Sequence, residues 1–173
     1  MHLRTMSAAI LFNEGRILLM KRAAGRTFAP DIWAPVGGHV EPAEVNDPQT
    51  ACLREVEEET GLTASDLQHL RMRYLLLRRK AEELRVHYFF TAKVCGGAVQ
   101  DRTEEGKLHW VEPGALPELP MSYTFRAVLG HCMAHPEDPA IYASVTTQTE
   151  GEPQVAFLEL TDWRGMEILR LPI

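Results

Sequence analysis

GGHVEPAEVNDPQTACLREVEEETGL, residues 37–62, decides how this chain is read. Its second half carries the strongest helix signals in the sequence. Asp47 can cap the N-terminus, Pro48 suits the first helical position, and Gly61 suits the left-handed position just past the end, so a helix is predicted over residues 48–60. Each helical residue advances about 100°, which puts Glu59 near about +40° and Glu58 near about −60° from Glu55. Three carboxylates therefore share one face, while Cys52, Leu53 and Val56 fall on the neighbouring face and can pack inward. Like charges at these spacings repel, and the helix C-terminus already disfavours anions. A hard divalent cation removes both penalties, because Mg²⁺ takes carboxylate oxygens and keeps positions for phosphate oxygens. Taken alone, the acidic triplet also fits a solvated helix face. Its surroundings argue for a site: Gly37 and Gly38 lie upstream, Glu44 adds an acid, and Arg54 adjoins Glu55 and precedes Glu58 by one turn.

Outward from this stretch the chain reads as an α/β (α+β) sandwich around a mixed β-sheet. Met6–Phe12 and Arg16–Met20 flank Asn13-Glu14-Gly15 as a hairpin. Arg22–Ile32 reads as an exposed loop. Arg71–Leu77 and Val86–Val94 read as strands joined by a polar connection over residues 78–83, and Leu108–Val111 as a short strand. Thr124–Ala134 has helical spacing, with Phe125, Val128, Leu129 and Cys132 on one stripe. Ile141–Thr146 and Gln154–Leu160, around Glu150-Gly151-Glu152-Pro153, suggest a hairpin within a C-terminal extension, residues 136–173. With 173 residues the chain is most simply one domain, 1–173.

A formal net charge of −6 leaves no electrostatic footprint for duplex nucleic acid or an anionic membrane, so an anionic substrate must be attracted locally. No apolar run reaches the roughly 18 residues that cross a bilayer. The N-terminal apolar run is too short for a secretory signal, and Cys52, Cys95 and Cys132 have no paired spacing, so a reduced, cytoplasmic protein is expected.

The stretch resembles the Nudix box, G-x5-E-x7-R-E-U-x-E-E-x-G-U with U a bulky aliphatic, of the Nudix hydrolases. Gly38, Glu44, Arg54, Glu55, Val56, Glu58, Glu59, Gly61 and Leu62 occupy its fixed positions, with nine residues rather than seven between Glu44 and Arg54. The extra two fall around Val45-Asn46-Asp47-Pro48, before the helix start that Asp47 and Pro48 mark, so they should lengthen the loop without breaking the helix.

The resemblance implies Mg²⁺ (or Mn²⁺) held by Glu55, Glu58 and Glu59, a carbonyl of the Gly37-Gly38 turn as a further ligand, and Glu44, Arg54 and Gly61 as supporting residues. Glu55 or Glu59 would orient or deprotonate water. Asp101, Glu104 and Glu105 stand in a later loop, and Glu105 is the candidate for an additional ligand. Substrate candidates are Gly37, Gly38, Arg22 and the aromatics Trp33, Tyr88 and Phe90, with Arg26, Arg78 and Arg79 able to meet phosphates. His39 is expected to position the loop.

The implied reaction is hydrolysis of a nucleoside diphosphate linked to another moiety. The marks of relatives acting on ADP-ribose, dinucleoside polyphosphates and coenzyme A are absent, which favours a MutT-like nucleoside triphosphate pyrophosphohydrolase. WAPVGGH, residues 33–39, is similar to the W-N-G-V-G-G-H of enzymes that remove oxidised purine nucleotides, but Ala34 stands at the base-reading Asn. A nucleotide-sugar hydrolase and a non-catalytic nucleotide-binding module are the alternatives, and a homodimer is compatible with each. Isomerisation of isopentenyl diphosphate would need a cysteine before the glycine loop, and none precedes Cys52.

Overall fold

The computed structural model describes residues 1–25, 31–147 and 153–160. Strands β1 (His2–Asn13) and β2 (Arg16–Arg22) form the expected antiparallel hairpin. Its turn places Glu14 and Gly15 at φ +49° and +79°, as a tight turn matched to strand twist requires. Two short strands follow, β3 (Trp33–Ala34) on β2 and β4 (Val36–His39) on β1. Helix α1 (Pro48–Thr60) then leads to the long pair β5 (Leu67–Lys80) and β6 (Glu83–Val94). Strand β7 (Gly106–Val111) pairs with β2, and α2 (Tyr123–Ala134) precedes β8 (Tyr142–Thr147) and β9 (Gln154–Glu159). The described strands form one mixed sheet, β3-β2-β1-β6-β5-β8-β9, parallel at β1–β6 and β5–β8.

The β5–β6 connection corrects a sequence-based expectation. Residues 78–83 read as a polar link, yet both strands continue until Lys80 pairs with Glu83, leaving Ala81 and Glu82 as the turn. Charge does not end a strand whose backbone bonds are met by a partner, and Glu83 is itself held by Arg85 at 2.6 Å. Residues 26–30 of the expected loop, and Glu150-Gly151-Glu152 of the expected C-terminal turn, lie outside the described residues.

Alternation along β1 divides the interior. Ala9 and Leu11 join Leu18, Met20, Val36 and Phe90 beneath α1, where Cys52 and Val56 complete a layer. Ala8 and Ile10 point the other way, to Ile17, Leu19, Phe89 and the α2 residues Phe125, Val128 and Leu129. The sheet is thus covered by one helix on each face. Fully burying each such side chain contributes about 1.5–3 kcal/mol, so both faces are strongly driven to close.

Candidate active site

The glycines of β4 let it approach β1 and α1 closely. Gly37 has φ +142°, and a Cβ there would run into the Ser7 carbonyl of β1. A Cβ on Gly38 would lie 2.5 Å from Glu55 Oε2. A side chain at Gly37 would press β4 away from β1, and one at Gly38 would displace the Glu55 carboxylate of α1. Across that narrow gap the Gly37 N–H donates to Glu59 Oε2 at 2.7 Å.

The termini of α1 form as the sequence implies. Asp47 Oδ1 accepts from the Thr50 N–H, and Gly61, at φ +77°, donates its N–H to the Glu57 carbonyl. Gln100, which the sequence did not single out, donates its side-chain amide to the carbonyls of Glu59 (2.6 Å) and Glu58 (3.2 Å). Helix ends leave carbonyls bare, but no local pattern shows that a residue so distant in sequence will meet them.

Arg54 is the hub. Its Nε and Nη2 grip both oxygens of Glu44 at 2.9 and 3.0 Å, Nη1 reaches Glu55 Oε1 at 3.0 Å and Glu58 Oε2 at 3.2 Å, and Nη2 also donates to the His39 carbonyl. The two inserted residues therefore do not separate Glu44 from Arg54. A turn of 3-10 helix, Pro42–Glu44, brings Glu44 back over α1. The guanidinium holds the Glu44 carboxyl down at about 2, and Arg54 is raised in turn. This bidentate clasp fixes one flank of the site.

The three box carboxylates sit in different surroundings. Glu58 is mostly exposed, Glu55 is largely covered, and Glu59 is 7% exposed. Burial pushes Glu59 up to about 8, against the Gly37 N–H that favours its ionised form, with Glu105 and Glu55 adding like charge. Burial also raises Glu55, while Arg54 offsets part of the effect. Glu105 thus faces both Glu55 and Glu59 across the site, and it pairs with Arg22 at 3.5 Å.

Among the described residues no three acidic, histidine or cysteine side chains are gathered into a ready-made metal shell. The carboxylates instead turn to Arg54 and Gly37. The donor set nonetheless fits a hard divalent cation. Glu59 is a buried carboxylate that accepts one backbone N–H among the described residues, and it lies in the field of two further acids.

Of the aromatic candidates, Trp33 packs with the α2-side cluster, whereas Tyr88 and Phe90 pack beneath α1. Trp33 and Tyr88 therefore cannot clasp one base between them, because alternation along β6 sends Tyr88 to the other face of the sheet. Trp33 lies instead beside Met121, at the entrance to α2, and tilts against His109 with ring centroids 5.2 Å apart. Nearby, the Arg78 guanidinium lies over the Tyr123 ring at 4.7 Å, and Arg79 donates to the Ala81 carbonyl. Arg26 lies outside the described residues.

A family profile described as NUDIX domain matches residues 1–130. The chain is 36% identical over 109 residues to a Bacillus subtilis protein provisionally named 8-oxo-dGTP diphosphatase. That match covers 62% of this chain and 66% of its relative, just under two thirds. It is 30% identical over 139 residues to an Escherichia coli protein named Nucleoside triphosphatase NudI, covering 75% of this chain and 96% of the relative. Among solved structures, a MutT protein from Bacillus halodurans superposes with a TM-score of 0.70 at 19% identity, over 88% of this chain and 97% of that one.

Proposed function

Because the chain belongs to the Nudix family of hydrolases, we propose that the face of α1 bearing Glu55, Glu58 and Glu59 hydrolyses a phosphoanhydride of a nucleoside triphosphate, in the manner of MutT. Nudix hydrolases act on small nucleotides and generally use divalent metals. The family's cation here is Mg²⁺, with Mn²⁺ as substitute. Glu55, Glu58, Glu59 and the Gly38 carbonyl would hold it, with Glu105 as an added ligand, and it supplies positive charge to non-bridging phosphate oxygens. The reaction takes place in one domain, residues 1–173, in the cytoplasm.

The observation that carries this reading is the pair of covered carboxylates facing the glycine turn, one of them raised to about 8 by burial. Glu55 has Oε1 on Arg54 and its carboxylate beside Gly38, and it would take the proton of an attacking water. Its raised affinity for a proton makes it a stronger base than an exposed carboxylate. Arg54 orients that carboxylate, and Glu44 keeps Arg54 from turning away. Arg22 and the Gly37-Gly38 backbone meet the phosphates, and Trp33 offers an aromatic face to the base. The names of the B. subtilis and E. coli relatives support a triphosphate, and an oxidised purine nucleotide among them.

The deciding experiment is a screen of canonical and oxidised nucleoside triphosphates, nucleotide sugars, ADP-ribose and dinucleoside polyphosphates with Mg²⁺. Release of pyrophosphate from a triphosphate, abolished by EDTA, is expected. Preference for a nucleotide sugar over every triphosphate would replace the substrate assignment, and full turnover in EDTA would remove the metal from it.

A further inference from the structure

On the α2 side of the sheet, between the end of α2 and the beginning of β5, lies a cleft of about 620 Å³. None of the residues around it belongs to the carboxylate site. Its lining combines the apolar Phe12 and Met133 with the basic Arg71, Arg73 and Lys93, and it includes one acid, Glu137. Three permanent cations gathered in a chain of net charge −6 run against the overall field.

Arg73 is the anomaly. The register of β5 against β6 slips between Met72 and Tyr74, and the extra residue at that bulge is Arg73. Its side chain is 1% exposed, yet its Nε–H has no hydrogen-bond partner among the described residues. Nη2 donates to the His135 carbonyl at 3.3 Å, and a carboxylate oxygen of Asp138 stands 3.9 Å away. A buried guanidinium with a bare N–H is costly, and an apolar residue of similar size would remove that cost. Arg71, Arg73 and Cys132 line the same cleft.

We infer that this cleft is a second ligand site, for a small organic anion whose phosphate or carboxylate head lies against Arg73 and Arg71 and whose body covers Phe12 and Met133. The volume falls within the range of about 300–1,000 Å³ typical of sites for small molecules. The inference does not depend on the reaction assigned to α1.

The test is calorimetric titration of the full chain with adenosine monophosphate, octanoate and inorganic phosphate. Parallel titrations use the Arg71→Gln/Lys93→Gln double variant, Arg73→Met and Glu55→Gln. At least one organic anion should bind, and the two organic arms distinguish a nucleotide from an aliphatic body. The double variant, altered at the rim where folding is not at stake, should weaken that binding at least about tenfold. Arg73→Met should abolish it while keeping or raising Tm, and Glu55→Gln should leave it unchanged. The inference is overturned if neither organic anion binds at millimolar concentration, or if the double variant binds as wild type. It is equally overturned if Glu55→Gln loses binding, or if inorganic phosphate binds as tightly as the organic anions. Should Arg73→Met not fold, the double variant decides.

Discussion

Helices α1 and α2 cover opposite faces of one sheet, but they do so with different chemistry. The buried side of α2 is Phe125, Val128, Leu129 and Cys132, entered through a Ser122 cap that accepts from the Phe125 N–H. The buried side of α1 includes Cys52 and Val56, but also Glu59. One helix places apolar surface against the sheet almost throughout. The other buries a carboxylate, which costs desolvation and shows as the rise of Glu59 to about 8. A helix selected for stability would resemble α2. The departure of α1 from that pattern coincides with the face to which the chemistry is assigned.

The comparison is broken most sharply at Glu55. Glu55→Gln keeps shape and removes the proposed base, so turnover should fall by about a thousandfold. Glu58→Gln should also lower turnover by orders of magnitude. In both variants the thermal midpoint should stay or rise, because like charges are removed from one helix face. Steady-state kinetics beside thermal melts check this, and wild-type turnover in either variant would return the acidic face to mere solvation. The converse substitution is Phe125→Ala in α2. It should cost about 3–5 kcal/mol of stability, read by chemical denaturation, with activity per folded molecule unchanged.

Arg54→Ala should fall between these two kinds of effect. It releases Glu44, Glu55 and Glu58 together and should reduce activity roughly 10–100-fold, with the helix still formed by circular dichroism.

The smallest effect is one of pH. Burial, and behind it the charges of Arg85, Arg78 and His39, holds His87 down at about 4 from an ordinary 6.5. The unfolded chain therefore takes up a proton near pH 6.5 that the folded chain refuses until about pH 4. Stability from this group is complete above pH 6.5 and declines as pH falls toward 4. Melts across that window should show the decline in wild type and a shallower one in His87→Gln. Identical slopes would remove His87 as its source.

Much of α1 was legible before any coordinates, because its signals are local. A cap at Asp47, a proline at position 48 and a glycine at 61 act within one turn of the residues they govern, and 100° per residue places the carboxylates on one face. The hairpin turn at Glu14-Gly15 was legible for the same reason. The polar run over residues 78–83 misled because strand length depends on the partner strand, and composition does not carry the partner. Trp33 and Tyr88 were both visible as aromatics, but their separation onto two faces followed only from how β3 and β6 take their places in the sheet.

The sequence by itself determined the hydrolase family and which carboxylates share one face of α1, since helix periodicity and the fixed spacing of the box are properties of the chain. Tertiary structure alone decided which of those carboxylates is buried, that Arg54 clasps Glu44 across a lengthened loop, that Glu105 faces Glu59, and that Gln100 caps the end of α1. Each of these depends on dielectric and distance between residues remote in sequence. Burial and Coulomb energy are set by what surrounds a group in space, and that is known only once the sheet has closed beneath both helices.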